Sequence, residues 1–330
     1  MKKDKLSAAE VVKLSDEELS RKVKHYETIE RIGGVLVVAV FIVGVVQALL
    51  QDGVSGIPLL VLMIILGIVI MKMIPMRAEE KKNALLIQQL GGYFYGELAR
   101  MFGPEPENPE MPIDESFLKS TNPVRSPWED CRITDFHEGV RNGMRFSAAN
   151  VLLSRRLMVD HPEDSSTYIS GAFYGVVLRC RDVCGPVTDI VLRDRSEFEY
   201  VVRKNGIPEN VDDLRRYYPT RKDGGLYDPV AFSRYYSAHT SDGKEADDAV
   251  TPQLRELIGK LEVLAANGRV AAFSLHNGEL MLALHTSYTF SRVPDKQDLK
   301  DINGIRMSYT ASLTAMAALL DLIRESCAEM

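Results

Sequence analysis

The sequence predicts an α+β protein: an N-terminal two-helix transmembrane hairpin followed by a soluble domain with an antiparallel sheet and a C-terminal helix. Three observations predict it. Two long uncharged runs stand side by side near the N-terminus, Asn-Gly dipeptides flanked by β-prone runs recur beyond residue 128, and the chain closes on an apolar stripe at helical spacing.

The paired runs fix the organisation. Ile32–Leu50 and Ile57–Ile74 are each long enough, at about 1.5 Å per helical residue, to cross or nearly cross a hydrocarbon core of about 30 Å. Inside lipid the backbone must satisfy its own hydrogen bonds, so each run is expected to be a helix and the pair a hairpin at 32–74. The segment 1–31 is charged and helical in character. Ser15 and Glu18 have the spacing of a capping box, so a helix is expected to begin there and lead into the first run. Lys2, Lys3, Lys5, Arg21, Lys22, Lys24 and Arg31 precede the first run, and Arg77, Lys81 and Lys82 follow the second. The turn Gln51–Gly56 contains no Lys or Arg. That asymmetry places both termini in the cytoplasm of a multi-pass protein of the cytoplasmic membrane. A cleavable signal peptide is not expected, because a long polar segment comes first and a second apolar run follows at once.

Residues 75–127 are expected to form an amphipathic helix, with Leu85, Leu86, Leu90, Phe94 and Leu98 on roughly one side. A Pro-rich linker over 104–127 would follow. The cytosolic α+β domain is then 128–330. Asn142-Gly143 predicts a tight hairpin between Asp135–Arg141 and Met144–Leu157, and Thr167–Cys180 and Thr188–Leu192 read as further strands. Asn277-Gly278 predicts a second hairpin in which His276 faces Glu279, Leu275 faces Leu280, Phe273 faces Leu282 and Ala271 faces Leu284. Ser274, His276, Glu279 and His285 fall on the opposite face. A helix is expected over Pro252–Ala266, capped by Thr251 and with Leu254, Leu257, Ile258, Leu261 and Leu264 on one stripe. The last helix, Tyr309–Cys327, buries Leu313, Met316, Leu320 and Ile323.

Composition limits the function. The chain has 330 residues and a net charge of −6. An acidic soluble part argues against nucleic acid as a partner, because binding phosphate backbones needs a basic footprint. No phosphate loop, His-Glu-x-x-His or Gly-x-Ser-x-Gly motif occurs, so no catalytic residue, cofactor or metal ligand is assigned. Cys131, Cys180, Cys184 and Cys327 lack the spacing of a zinc knuckle or redox pair. His276 and His285 lie too far apart on their hairpin to share a metal, and they read as ordinary, partly exposed histidines. Asp182, Asp189 and Asp194 read as charges along a solvent-facing strand edge, and Asp242–Asp248 as a solvated acidic turn that lacks the ligand pattern of a calcium loop.

The insertion at 203–236 is the most distinctive stretch. Its arginines and tyrosines are residue types enriched at interface hot spots. Arg215, Arg216, Tyr217, Tyr218, Tyr235 and Tyr236 are therefore the candidate partner-binding residues. The expected function is recognition of a protein or lipid partner by the cytosolic domain, at a bilayer held by the two spans. The alternative is an enzyme of a membrane-linked pathway with an unrecognised site.

The hairpin, the run ISGAFYGVVLRC, the acidic Glu197–Glu199 segment, Tyr236-Ser237 with Thr251-Pro252-Gln253-Leu254, and the run AAFSLHNGELMLALHTS together carry a resemblance. They resemble the bacterial membrane-protein family catalogued as domain of unknown function 3137, over roughly residues 30–328. The chain differs from that pattern by about thirty extra residues between Phe198 and Tyr236. The resemblance implies the architecture and assigns no functional residue.

Overall fold

A computed structural model describes residues 14–50, 65, 75–161, 164–183, 189–195, 200–201, 226, 228–265, 268–286, 290–291 and 302–329. Residues divide into two compact units, the first comprising 1–96 and 295–306 and the second 97–294 and 307–330.

In the first unit, α1 (Asp16–Leu50) begins at the expected capping box. The Ser15 N–H donates to Glu18 Oε2 and the Glu18 N–H donates back to Ser15 Oγ, at 3.1 and 3.3 Å. The helix α2 (Pro75–Phe102) lies antiparallel to it, as paired positions show. The Leu14 N–H donates to Gln89 Oε1 at 3.0 Å, while Lys82 Nζ sits 3.9 and 3.6 Å from Glu27 and Glu30. Leu19, Val23, Leu86 and Leu90 are buried there. Arg306 donates both terminal nitrogens to the Asp16 carboxylate at 2.7 and 2.9 Å. That carboxyl is held below its usual pKa range first by this hydrogen bond, with burial opposing.

The character of α1 changes after Arg31. Ile32, Val35, Leu36, Val38, Phe41, Ile42, Val43 and Val46 are exposed, from 43% to 69%. At about 100° per residue these eight side chains occupy more than half of the helix circumference. Among the described residues, no helix is long and apolar enough to cross a membrane. The side chains at 44, 45 and 47–50, and the second run apart from Ile65, lie outside the described residues.

The second unit is built on an eight-stranded sheet, all of it antiparallel. Its strands are β1 (Asp130–Arg141), β2 (Met144–His161), β3 (Asp164–Arg181), β4 (Ile190–Asp194), β5 (Tyr200–Val201), β6 (Tyr236–His239), β7 (Arg269–His276) and β8 (Glu279–His285). The order is β1-β2-β3-β8-β7-β4-β6, with β5 paired to β3. Both predicted hairpins form on Asn-Gly turns with positive φ at both central residues, 50° and 82° at Asn142-Gly143, 50° and 74° at Asn277-Gly278. This is the primed geometry whose twist matches that of the strands.

The second hairpin departs from the expected register at one point. His276↔Glu279, Leu275↔Leu280 and Phe273↔Leu282 pair as expected, but a bulge between Val270 and Ala272 leaves Val270, not Ala271, opposite Leu284. Ala271 is the extra residue. Bulges occur likewise between Leu153 and Ser154 and between Thr134 and His137, where Asp135 takes φ 53°.

Apolar residues cover both faces of the central strands. One face carries Ala149, Val151, Leu153, Phe173, Val177, Ala272, Met281 and Ala283, packed with Ile113, Leu118 and Val124. The segment expected to be a linker is therefore part of the core. It contains α3 (Glu115–Thr121), capped by Asp114, whose carboxylate accepts from the Phe117 N–H at 2.8 Å. A Pro-rich composition hid this segment, because its few apolar residues follow no helical or strand period. The helices α4 (Pro229–Tyr235), α5 (Pro252–Leu264) and α6 (Ile302–Glu329) complete the described elements, together with a 3₁₀ turn at Asp247–Ala249. Leu254, Leu257, Ile258 and Leu261 of α5 are buried as expected, while Leu264 is exposed. In α6, Leu313, Met316, Leu320 and Ile323 are buried, and the helix starts seven residues before the expected Tyr309. Arg141 ties it to the first hairpin by donating to both Asp321 oxygens at 2.9 and 2.7 Å.

Candidate functional site

The interaction residues expected from the sequence separate into two groups. Arg215, Arg216, Tyr217 and Tyr218 lie outside the described residues. Tyr235 and Tyr236 are described, at the junction where α4 ends and β6 begins. Asp228 caps α4 by accepting from the Val230 N–H at 3.2 Å, and Pro229 stands in the first turn, where a missing N–H costs nothing.

Strand alternation then sends successive side chains to opposite faces. Tyr236 is only 1% exposed. Its hydroxyl donates to Glu262 Oε1 at 2.6 Å and also lies 3.0 Å from the Val270 carbonyl, and its ring rests 4.9 Å from Phe232. Tyr236 therefore leaves the partner-binding set: it is a packing residue that joins β6 to α5 and β7. Tyr235 is half-buried, with the Arg269 guanidinium 5.9 Å from its ring centroid. Arg269 in turn sits 3.3 Å from Asp194, and both are buried.

That pairing corrects the reading of Asp194 as a solvent-facing charge: the end of β4 is interior. The other two carboxylates also have specific partners. Asp189 accepts from the Ser241 N–H and hydroxyl at 2.9 and 2.7 Å and lies 3.3 Å from His276 Nδ1. Hydrogen bonds from Ser241 hold its pKa low, with burial opposing. Asp182 accepts from Arg145 Nε at 3.2 Å. The three acids are thus held by three different sets of partners. Among the described residues no group of His, Cys, Asp and Glu could hold a metal ion.

The histidines also differ from expectation. His276 is exposed, but His285 is 4% exposed and His137 is 1% exposed. Burial pushes His285 down to about 3, against a raising hydrogen bond with the Tyr174 backbone, and the Arg269 charge lowers it further. Its ring stacks at a tilt on Phe173, with centroids 4.7 Å apart. A neutral His285 makes stability pH-dependent in a definite direction. The folded pKa is depressed, so the unfolded chain binds the proton more readily below about pH 6.5. Stability is expected to fall by up to about 1.4 kcal/mol per pH unit as pH drops from about 6 towards 3. Urea melts at pH 7, 5.5 and 4.5 measure this slope, and a His285→Gln variant should flatten it. An equal slope in the variant would assign it elsewhere.

Two of the described thiols are held protonated. Burial pushes the Cys180 thiol up to about 12, and burial chiefly pushes half-buried Cys131 to about 11, so neither supplies a thiolate nucleophile at neutral pH.

Two residues that sequence reasoning passed over meet on the other face of β6. Arg125 comes from the segment after α3 and Arg193 from β4, sixty-eight positions apart in the chain. They meet through Ser237, which pairs with Arg193 across the strands. No local spacing announces such a pair.

No family model matches the chain, and neither curated proteins nor solved structures contain a similar one.

Proposed function

We propose that the chain is an integral protein of the cytoplasmic membrane, held in the bilayer by a helical hairpin at 32–50 and 57–74. Its α+β unit would face the cytoplasm and bind a protein or lipid partner at the membrane. The observation that carries the anchor is the ring of eight exposed apolar side chains on α1. Side chains of this size gain about 1.5–3 kcal/mol each on full burial. Leaving eight half-exposed in water would cost on the order of 10 kcal/mol, whereas lipid removes that cost. A helix apolar over most of its circumference needs such surroundings. The antiparallel base of α1 and α2 supports a hairpin, because it brings the start of one run beside the end of the other.

Partner binding is supported by what the second unit holds. Among the described residues, Asp182, Asp189, Asp194 and Glu279 are held by hydrogen bonds or ion pairs, His137 and His285 are buried, Cys131 and Cys180 are poor thiolates, and the central strands are filled on both faces. A partner surface fits such a unit better than a reaction site does. Alkaline carbonate extraction of membranes tests the anchor directly. The full chain is expected to remain in the pellet with integral proteins, and release into the supernatant would exclude the two-span reading.

A further inference from the structure

We propose that Arg125, Arg193 and Ser237 form a binding site for a phosphate dianion, the phosphomonoester group of a ligand. The Arg125 and Ser237 side chains meet at the β4–β6 edge of the second unit, and Arg193 stands opposite Ser237 in the strand register. Arg125 Nη2 donates to Ser237 Oγ at 2.8 Å, and Ser237 Oγ lies 3.4 Å from the Arg193 carbonyl. Arg193 reaches the last carbonyl of α3 weakly, with Nη2 3.4 Å from Thr121 O. Its Nε is buried and has no hydrogen-bond partner. By contrast, buried Arg269 has Asp194 beside it, and half-buried Arg179 has Glu279 at 2.5 Å. Among the described residues no carboxylate pairs with Arg125 or Arg193.

The structure therefore brings two like charges together and leaves a buried donor unused. Burial first, and the neighbouring Arg125 charge second, push the Arg193 pKa below its ordinary value. An arrangement of this kind is unfavourable without a counter-anion, because the buried Nε loses its water and gains no acceptor. Guanidinium groups suit oxyanions geometrically, since two N–H groups can face two oxygens. Two positive charges match a dianion better than a single carboxylate, and the ligand would give Arg193 Nε its missing acceptor. Ser237 is 3% exposed and holds the exposed Arg125 head in place, so the site is anchored on the strand.

This site stands on the second unit alone and does not depend on the membrane reading. Its phosphomonoester could belong to a soluble metabolite or to a phosphatidic-acid headgroup. The test is calorimetric titration of the full chain in a nonionic detergent, with glycerol phosphate in one arm and short-chain phosphatidic acid in the other. Ionic strength is matched with chloride. Saturable binding is expected in at least one arm: glycerol phosphate alone suffices for a soluble ligand, and a requirement for phosphatidic acid indicates the headgroup. Arg125→Gln and Arg193→Gln are each expected to weaken binding by about tenfold or more. Arg125 is exposed, so its variant keeps the fold, which circular dichroism verifies. Arg156→Gln removes an exposed arginine 3.8 Å from Asp130 and should leave binding unchanged. No saturable binding in either arm, or binding that survives both Arg125→Gln and Arg193→Gln, overturns the site.

Discussion

Replacing Val38 and Ile42 together with arginine is expected to release the protein from carbonate-washed membranes. The two side chains are 57% and 55% exposed and lie one turn apart on α1, so the charges would share a face. An arginine near the centre of a membrane helix costs about 2.5–3.5 kcal/mol, and the pair about 5–7 kcal/mol. That removes most of the gain of about 10 kcal/mol from covering the exposed ring, so a much larger share of molecules should fail to insert the first span. The Val38→Leu, Ile42→Leu pair keeps the surface apolar and should stay in the pellet. Equal retention of both double variants would mean that this stretch of α1 does not face lipid.

The second large effect is expected at Gly175, in the middle of β3. Gly175 pairs with Val151 on one side and His285 on the other. A Cβ added there would lie 2.0 Å from the Leu284 carbonyl oxygen and 2.9 Å from its carbon. Both are backbone atoms of a paired strand, so neither can swing aside. Gly175→Ala should therefore cost about 3 kcal/mol or more, through forced displacement of β8 from β3. In a domain of this size that lowers Tm by about 10 °C. Gly243→Ala gives the contrast: its φ is +86°, but nothing lies within 4 Å, so only backbone strain of about 1–2 kcal/mol is expected. Thermal melts of the two variants separate the mechanisms, and a Gly175→Ala loss no greater than that of Gly243→Ala would contradict the close approach.

These two positions also show what the sequence makes legible. The Asn277-Gly278 hairpin could be read because a two-residue primed turn fixes the partner of every residue after it. That inference fails at Ala271, where a bulge shifts the register, and a bulge is set by three-dimensional packing that no local pattern records. Close packing around Gly268, whose added Cβ would come 2.4 Å from the His285 carbonyl oxygen, belongs to the same corner. The early start of α6 was hidden by Asn303-Gly304, a turn signal when read locally that here lies inside a helix. Ile113, Leu118 and Val124 were hidden among prolines, although they pack against one face of the sheet. For the functional site the failure is more complete. Tyr236 has the composition of a hot spot, yet alternation along β6 turns it inward. Ser237, the next residue, turns towards the arginine pair. The identity of a side chain was readable in each case, and the face it occupies was not.

The measurement that tests the central claim most directly is thiol labelling across the membrane. Single cysteines are placed at Ser55, between the apolar runs, and at Ser7, before them, in a chain whose native cysteines are replaced by serine or alanine. A maleimide that cannot cross membranes is then applied to intact and to lysed cells. A two-span hairpin with both termini in the cytoplasm predicts labelling of Ser55→Cys in intact cells and of Ser7→Cys only after lysis. Labelling of both positions only after lysis would show that the chain between the runs never crosses the bilayer, and the anchor would be wrong.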